Sequence, residues 1–303
     1  MGPRCRRSTR GAHRRRERHD ARARRGPTVS TLWLVATPIG NLGDLAPRAL
    51  DVLGAVDLVC CEDTRRTGPL LRNAGIDTRL TVVNDHTERP QVRAVLDVLD
   101  GGGDVALVSD AGTPGISDPG ERLVSAVLAT EHTVSAVPGP SAAIMALTIS
   151  GLPTARFVFE GFLPRKGRER TERLTAVAAD TRTVVLYEAP HRIERTLDDL
   201  RAACGSDRSV VVTRELTKLH EEVRRGTLGT IDIGEPRGEY VIVLDGAPAA
   251  NSPASDDDVR AALRVALDGG ASSRDAVASV VSTTGRAKRE VYDLAIDLQR
   301  DAS

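Results

Sequence analysis

The chain has 303 residues, 40% of them hydrophobic, and 27 glycines, enough for two modest α/β units with cores of their own. Phe, Tyr and Trp contribute three, three and one, which argues against a surface that stacks many bases on a rigid platform. The formal charge of zero hides an asymmetry. Residues 1–28 hold eleven arginines against Glu17 and Asp20, a local +9, so the rest of the chain carries −9.

The Arg4–Arg25 stretch has almost no apolar side chains and cannot form a core. Nor does it have the apolar stretch of a secretory signal. It reads either as a nucleic-acid-binding arm or as extra sequence upstream of the true start. The second is favoured, because a first strand begins abruptly at Thr31. Cysteine usage gives neither a disulfide framework nor a zinc signature. Cys60 and Cys61 are neighbours on a predicted strand and point to opposite faces. A reducing, cytoplasmic setting and no membrane span are expected.

From Thr31, strands and helices alternate. Strands are predicted at 32–36, 56–60, 80–83, 105–108 and 133–137. Helices are predicted at 45–53 with Asp44 as cap, through Leu70 and Leu71, at 92–99, at 121–128 and through Leu147. Short connections between them predict an open, largely parallel sheet covered on both faces. A boundary near Ser150-Gly-Leu-Pro153 separates residues 29–149 from a second α/β unit, 150–246. Its strands are expected at 157–159, 184–187, 209–213 and 240–244, with helices near 168–179 and 193–202. Residues 247–255 read as a linker. Beyond them, 256–303 reads as a small helical appendage of three helices, at 257–267, 273–281 and 288–298.

Glycine and proline crowd the end of the fourth strand, in Ser109-Asp-Ala-Gly-Thr-Pro-Gly-Ile-Ser-Asp-Pro-Gly120. Ligands sit at the carboxyl ends of strands in open α/β sheets. Gly112 and Gly115 permit close backbone approach, and Pro114 and Pro119 stiffen the path. Asp110 is placed to accept from a ligand amine or hydroxyl, and Asp118 to cap the next helix. Neither common phosphate-cradle pattern is present, and the prolines remove donors that a diphosphate would need. Thr37-Pro-Ile-Gly40 and Pro138-Gly-Pro-Ser141 are similar rigid turns, suited to converging on one compact, uncharged or cationic cofactor.

These motifs resemble the tetrapyrrole methylase superfamily. They are Ala36-Thr-Pro-Ile-Gly-Asn-Leu-Gly43, Glu62-Asp-Thr-Arg65, Val108 to Gly120 and Pro138-Gly-Pro-Ser141. Others narrow the resemblance to the ribosomal RNA small-subunit methyltransferase I branch: Phe159-Glu-Gly-Phe-Leu-Pro164, Tyr187-Glu-Ala-Pro-His-Arg192, Arg214-Glu-Leu-Thr-Lys218, Gly238-Glu239 and Ala287-Lys-Arg-Glu-Val-Tyr292. The branch usually has His-Asn-Glu where this chain has His86-Thr-Glu88, which puts any role of that position in doubt.

The resemblance implies a two-domain, non-Rossmann (class III) methyltransferase, typically a homodimer, with S-adenosylmethionine in a cleft between the domains. Pro38, Asp110, Ala111, Gly112 and Thr113 are implied as cofactor contacts, with Ser141, Tyr187 and Thr213 as further walls. The implied reaction is 2′-O-methylation of a decoding-centre cytidine in 16S rRNA, within the 30S subunit. A tetrapyrrole-precursor methyltransferase and a non-catalytic RNA-binding module are the alternatives.

In-line methyl transfer to a ribose hydroxyl needs alignment and removal of a proton, and no metal. Polar islands supply the candidate groups: Glu62 and Asp63, with Asp63 alternatively a helix cap; His86 and Glu88, a candidate acid–base pair; and Glu215 and Lys218. The last two are either a helical i,i+3 pair or an oriented phosphate contact, the second being favoured. Arg65, Arg66, Arg165, Lys166, Arg168 and Arg170 are candidates for gripping RNA phosphates. Arg192 and Arg214, in the second-unit clusters, join them.

Overall fold

The structure is a computed structural model that describes residues 29–84, 87–248, 254, 256–269 and 271–301. The basic stretch at 1–28, most of the expected linker and His86 lie outside the described residues.

Five strands and five α-helices build the described part of the first half. They are β1 (Thr31–Val35), α1 (Pro47–Ala55), β2 (Leu58–Cys61), α2 (Thr64–Asn73), β3 (Leu80–Val82), α3 (Glu88–Asp100), β4 (Val105–Leu107), α4 (Glu121–Leu128), β5 (Thr133–Val137) and α5 (Ala142–Ser150). The strands line up as β3-β2-β4-β1-β5, and every pair is parallel. Apolar side chains fill both faces, as a parallel sheet requires. Leu32, Cys60, Leu107 and Leu123 lie in one core and Val35, Leu53, Cys61 and Val108 in the other. The two cysteines thus point to opposite faces, and burial pushes the Cys60 thiol up to about 12.

Two expected caps are corrected. Asp44 does not start α1. It ends a single 3-10 turn, Leu42–Asp44, capped by the Asn41 side chain. Pro47, with its preset φ, then opens α1 after Ala46. Asp118 does not cap α4 either, because Gly120 occupies the cap position at φ 144°. A carboxylate from elsewhere serves that helix instead. Glu88 is buried, and its Oε1 accepts from Leu123 N–H at 3.1 Å, satisfying a first-turn donor. Glu88→Ala is expected to destabilise the protein by about 1 kcal/mol, read as a lower urea midpoint with an unchanged slope. That hydrogen bond gives Glu88 a structural role at the start of α4, and its expected partner His86 lies outside the described residues. Thr87 closes the preceding turn, its hydroxyl accepting from Asn84 N–H at 3.0 Å.

The second half contains β6 (Phe157–Phe162), α6 (Arg168–Ala179), β7 (Thr183–Glu188), α7 (Ile193–Cys204), β8 (Ser209–Arg214), β9 (Glu222–Thr227) and β10 (Tyr240–Leu244). Their order is β6-β7-β10-β8-β9. Only β6 and β7 run parallel; the other pairs are antiparallel. Strand β9 is absent from the sequence-based prediction. Its sequence, Glu-Val-Arg-Arg-Gly-Thr, has no apolar run because it forms a sheet edge.

One face of this sheet packs on α6 and α7 through Leu186, Ile193, Leu200 and Ile242. The other, through Val185, Val211, Val241 and Val243, packs against α5 and against Ile39 and Ala111 of the first-half loops. The strand-end loops of the first sheet therefore meet the second. Beyond them, α8 (Asp256–Asp268), α9 (Ser273–Thr284) and α10 (Lys288–Asp301) close on a core of their own. Among the described residues no helix is long and apolar enough to cross a membrane.

Candidate functional site

Strands β1 and β4 are central neighbours, so the loops after them emerge side by side. Thr37 N–H donates to Gly112 O at 2.9 Å and Gly112 N–H to Thr37 O at 3.1 Å. The Thr37 hydroxyl donates to Ser109 O at 3.1 Å and that of Thr113 to Pro140 O at 3.2 Å. Three rigid turns thus converge. Gly112, at φ 86°, takes a conformation that side chains disfavour and faces Ile39 and the Pro140 carbonyl.

Between these loops and the second sheet lies a cleft of about 540 Å³, the size of a small-molecule site. Asp110, Ala111, Gly112, Thr113, Ser141 and Tyr187 all line it. Pro38 instead lines an adjoining hollow of about 220 Å³, shared with Asp110 and Lys218. Thr213 is fully buried, its hydroxyl donating to Val241 O at 3.3 Å. It shares the cleft-facing side of the sheet with its cross-strand partner Val241, but is covered there.

Asp110 is the outstanding group. Its N–H donates to Glu62 Oε1 at 2.9 Å, so Glu62 fixes the loop. Its Oδ2 lies 3.4 Å from Arg66 Nε, Oδ1 is buried, and the Asp63 backbone N–H also donates to the carboxyl group. Burial pushes the carboxyl pKa up, against the opposing pull of Arg66. A partly buried carboxyl group lining a cleft suits a donor or cation from a ligand.

Asp63 caps α2 by accepting from Arg65 N–H at 2.8 Å and also pairs with the Arg65 guanidinium. The hydrogen bonds from Arg65 hold its pKa at about 2, so it is a weak base. Glu215 and Lys218 share a turn, not a helix, with Glu215 at φ 50° and Thr217 at φ 67°. Lys218 Nζ lies 2.8 Å from Glu215 Oε1 and 2.7 Å from Glu239 Oε2. Burial alone would lower the lysine pKa, but bonds to the two carboxylates outweigh it and raise it, so Lys218 stays protonated. This turn also meets the first half, because Asn41 N–H donates to Thr217 Oγ1 at 3.1 Å.

The arginines separate sharply. Arg66 lines the cleft. Arg165 and Lys166 are exposed and make no ion pair among the described residues. Arg65 is held by Asp63, and Arg168 pairs with Glu172 at 2.6 Å. Arg170 is not a surface grip. It is 4% exposed and bonds Asp199, Thr196 and the Pro164 carbonyl. Arg192 likewise turns inward, to Glu188 and the Leu163 carbonyl. Arg214 pairs with Glu222 at 2.8 Å. Helix-turn packing behind Pro164 claims the first two, which no charge count reveals. Phe162, Ile116 and Glu239 line the cleft without having been picked out as site residues in the sequence. Gly161 inside a strand is the signal that points to Phe162.

Comparison with known proteins defines the class first. A family model described as Tetrapyrrole (Corrin/Porphyrin) Methylases matches residues 31–232, and one described as RsmI C-terminal HTH domain matches residues 253–299. Among solved structures, the methyltransferase CobJ superposes with a TM-score of 0.56 at 18% identity, covering 73% of this chain and 95% of that one. A diphthine synthase gives 0.55 at 16%, covering 71% and 89%. These two share the fold.

Closer relatives narrow the class. Ribosomal RNA small subunit methyltransferase I of Synechocystis sp. is 45% identical over 278 residues, 90% of this chain and 100% of that one. The Pseudomonas aeruginosa protein of the same name is 43% identical over 281 residues, covering 90% and 99%. The chain belongs to the ribosomal RNA small subunit methyltransferase I family.

Proposed function

We propose that this protein binds S-adenosylmethionine in the cleft and methylates the ribose 2′-hydroxyl of a decoding-centre cytidine in 16S rRNA. The Asp110 carboxyl group, which lines the cleft beside the three converging turns, carries the reading. It is an acceptor for an amine or hydroxyl, set in a cleft of suitable volume whose loops suit a compact, non-phosphate ligand. Ala111 and Thr113 would offer backbone groups beside it, Gly112 would allow close approach, and Ser141 and Tyr187 would form the opposite wall.

The bound cofactor supplies a methyl group on a cationic sulfur. The protein's part is alignment and a dry environment, worth several orders of magnitude in rate. Thr37, Gly112 and Thr113 lock the loops, so the cleft is organised before binding. Asp110 and Glu239 place negative charge near a cationic ligand, and Arg66 and Lys218 limit the excess. His191 is the cleft group that would receive a proton from the ribose hydroxyl, while Glu239 is held by Lys218. A homodimer acting in the cytoplasm on the 30S subunit belongs to the same proposal, as does the division at 149/150 and 246.

Incubation with methyl-labelled S-adenosylmethionine tests the substrate. Label should enter 30S subunits that lack the modification, and a tetrapyrrole precursor should remain unlabelled. Label in the tetrapyrrole alone would move the protein to the other methylases of its superfamily. Cofactor binding without label in either substrate would remove rRNA methylation from it.

A further inference from the structure

Strand β6 contains one residue too many for its partner. Phe157, Val158 and Phe159 pair with Thr183, Val184 and Val185, after which Gly161 pairs with Leu186 and Phe162 with Tyr187. Glu160 is the extra residue of a β-bulge, and Gly161, at φ 62°, permits the kink. In an unbroken strand, strict alternation would place Gly161 on the face of Phe159 and send Phe162 to the opposite face. The bulge brings Phe162 to the Tyr187 side, where it lines the cleft.

Once there, Phe162 is not packed away. It remains 50% exposed, meeting Tyr187 edge-on, with ring centroids 5.7 Å apart at 61°. Phe159 braces Tyr187 in the same way at 4.9 Å. Three of the chain's seven aromatic residues therefore stand together on one wall. The main chain just beyond is pinned from behind, Leu163 O by Arg192 and Pro164 O by Arg170. Immediately after this clamp come Arg165 and Lys166, exposed and unpaired among the described residues.

We infer that Phe162 is the stacking platform for the base of the target nucleotide, with Arg165 and Lys166 holding the phosphates beside it. The inference rests on the rRNA reading above and assigns within it where the base goes. A 2′-hydroxyl can reach a recessed methyl donor only if its nucleotide leaves its own stack, and an extruded base needs a flat apolar partner. A chain with few aromatics cannot build a long platform, but one base needs one ring. The two inward-turned guanidiniums serve the RNA indirectly, by making the platform rigid. Phe162 is thus a binding residue, and Arg170 and Arg192 are positioning residues.

The test compares the full-length protein with Phe162→Ala, Phe162→Trp and the double variant Arg165→Gln/Lys166→Gln. It measures S-adenosylmethionine affinity by calorimetry, 30S affinity by filter binding and methylation kinetics. Phe162→Ala should weaken 30S binding and raise KM for 30S by about tenfold, with cofactor affinity unchanged. Phe162→Trp should restore both. The double variant should keep cofactor affinity and flatten the salt dependence of 30S binding by about one unit of slope per lost contact. Weakened cofactor binding in Phe162→Ala would assign the ring to the methyl donor and overturn the inference, as would unchanged 30S affinity and KM. A parent protein that binds cofactor yet neither binds nor methylates 30S would fell the rRNA reading itself. A parent that methylates normally beside an indifferent Phe162→Ala would fell only the platform.

Discussion

Asp110→Asn should bind S-adenosylmethionine about ten- to a hundredfold more weakly than the parent, without loss of thermal stability. The affinity loss follows from replacing a charged acceptor, whose hydrogen bonds are worth about 1.5–3 kcal/mol, by a neutral amide. The stability claim follows from the direction of the carboxyl pKa, which burial raises. A carboxyl with a folded pKa above its unfolded value binds its proton more tightly in the folded chain. Folding is therefore penalised as pH rises through that interval, and the penalty persists at neutral pH. Asparagine removes it. By the same sign, the parent's cofactor affinity should fall as pH drops through the raised pKa, while that of Asp110→Asn stays flat there. Calorimetric titrations across the acidic range, with a melting curve for each protein, check both halves. Equal affinities would show that the Asp110 carboxyl group does not contact the ligand.

Glu188→Ala should be the most destabilising single change near the cleft, by roughly 3 kcal/mol. The Glu188 side chain is fully buried, pairing with Arg192 Nε at 3.2 Å. Its Oε1 accepts from Ala189 N–H at 2.9 Å and its Oε2 from the Thr196 hydroxyl at 2.6 Å. Truncation leaves a mostly buried guanidinium uncompensated and two donors unmet. It also loosens the clamp on Leu163, so KM for 30S should rise more than the cofactor dissociation constant. Urea unfolding gives the first quantity and steady-state kinetics the second. A loss below 1 kcal/mol would mean that solvent replaces the network.

The parallel sheet and the cofactor loop were legible in the sequence because local signals agree there. Strand–helix alternation with short connections leaves few topologies, and a loop as rich in glycine and proline as 109–120 has no other common use at a strand end. Convergence of the three turns was anticipated, but its fastening by Thr37 and Gly112 needed the order of β1 and β4. Long-range contacts defeated the rest. Glu88 takes the helix-end role expected of Asp118 because, though distant in sequence, it reaches the first turn of α4. Arg170 and Arg192 look like phosphate ligands in a basic run, yet Glu188, Asp199 and two carbonyls draw them inward. Edge strand β9 lacks the apolar alternation that announces a strand, and the facing of Phe162 depends on a one-residue bulge that composition does not show.

The most direct measurement digests the rRNA of 30S subunits after reaction with this protein and S-adenosylmethionine, then identifies the modified nucleoside by mass. Methyl transfer to a ribose hydroxyl predicts a single new 2′-O-methylcytidine from the decoding centre, formed by the parent and reduced in Asp110→Asn at limiting cofactor. A methyl group on the cytosine ring, or no new nucleoside from a protein that binds the cofactor, would contradict it.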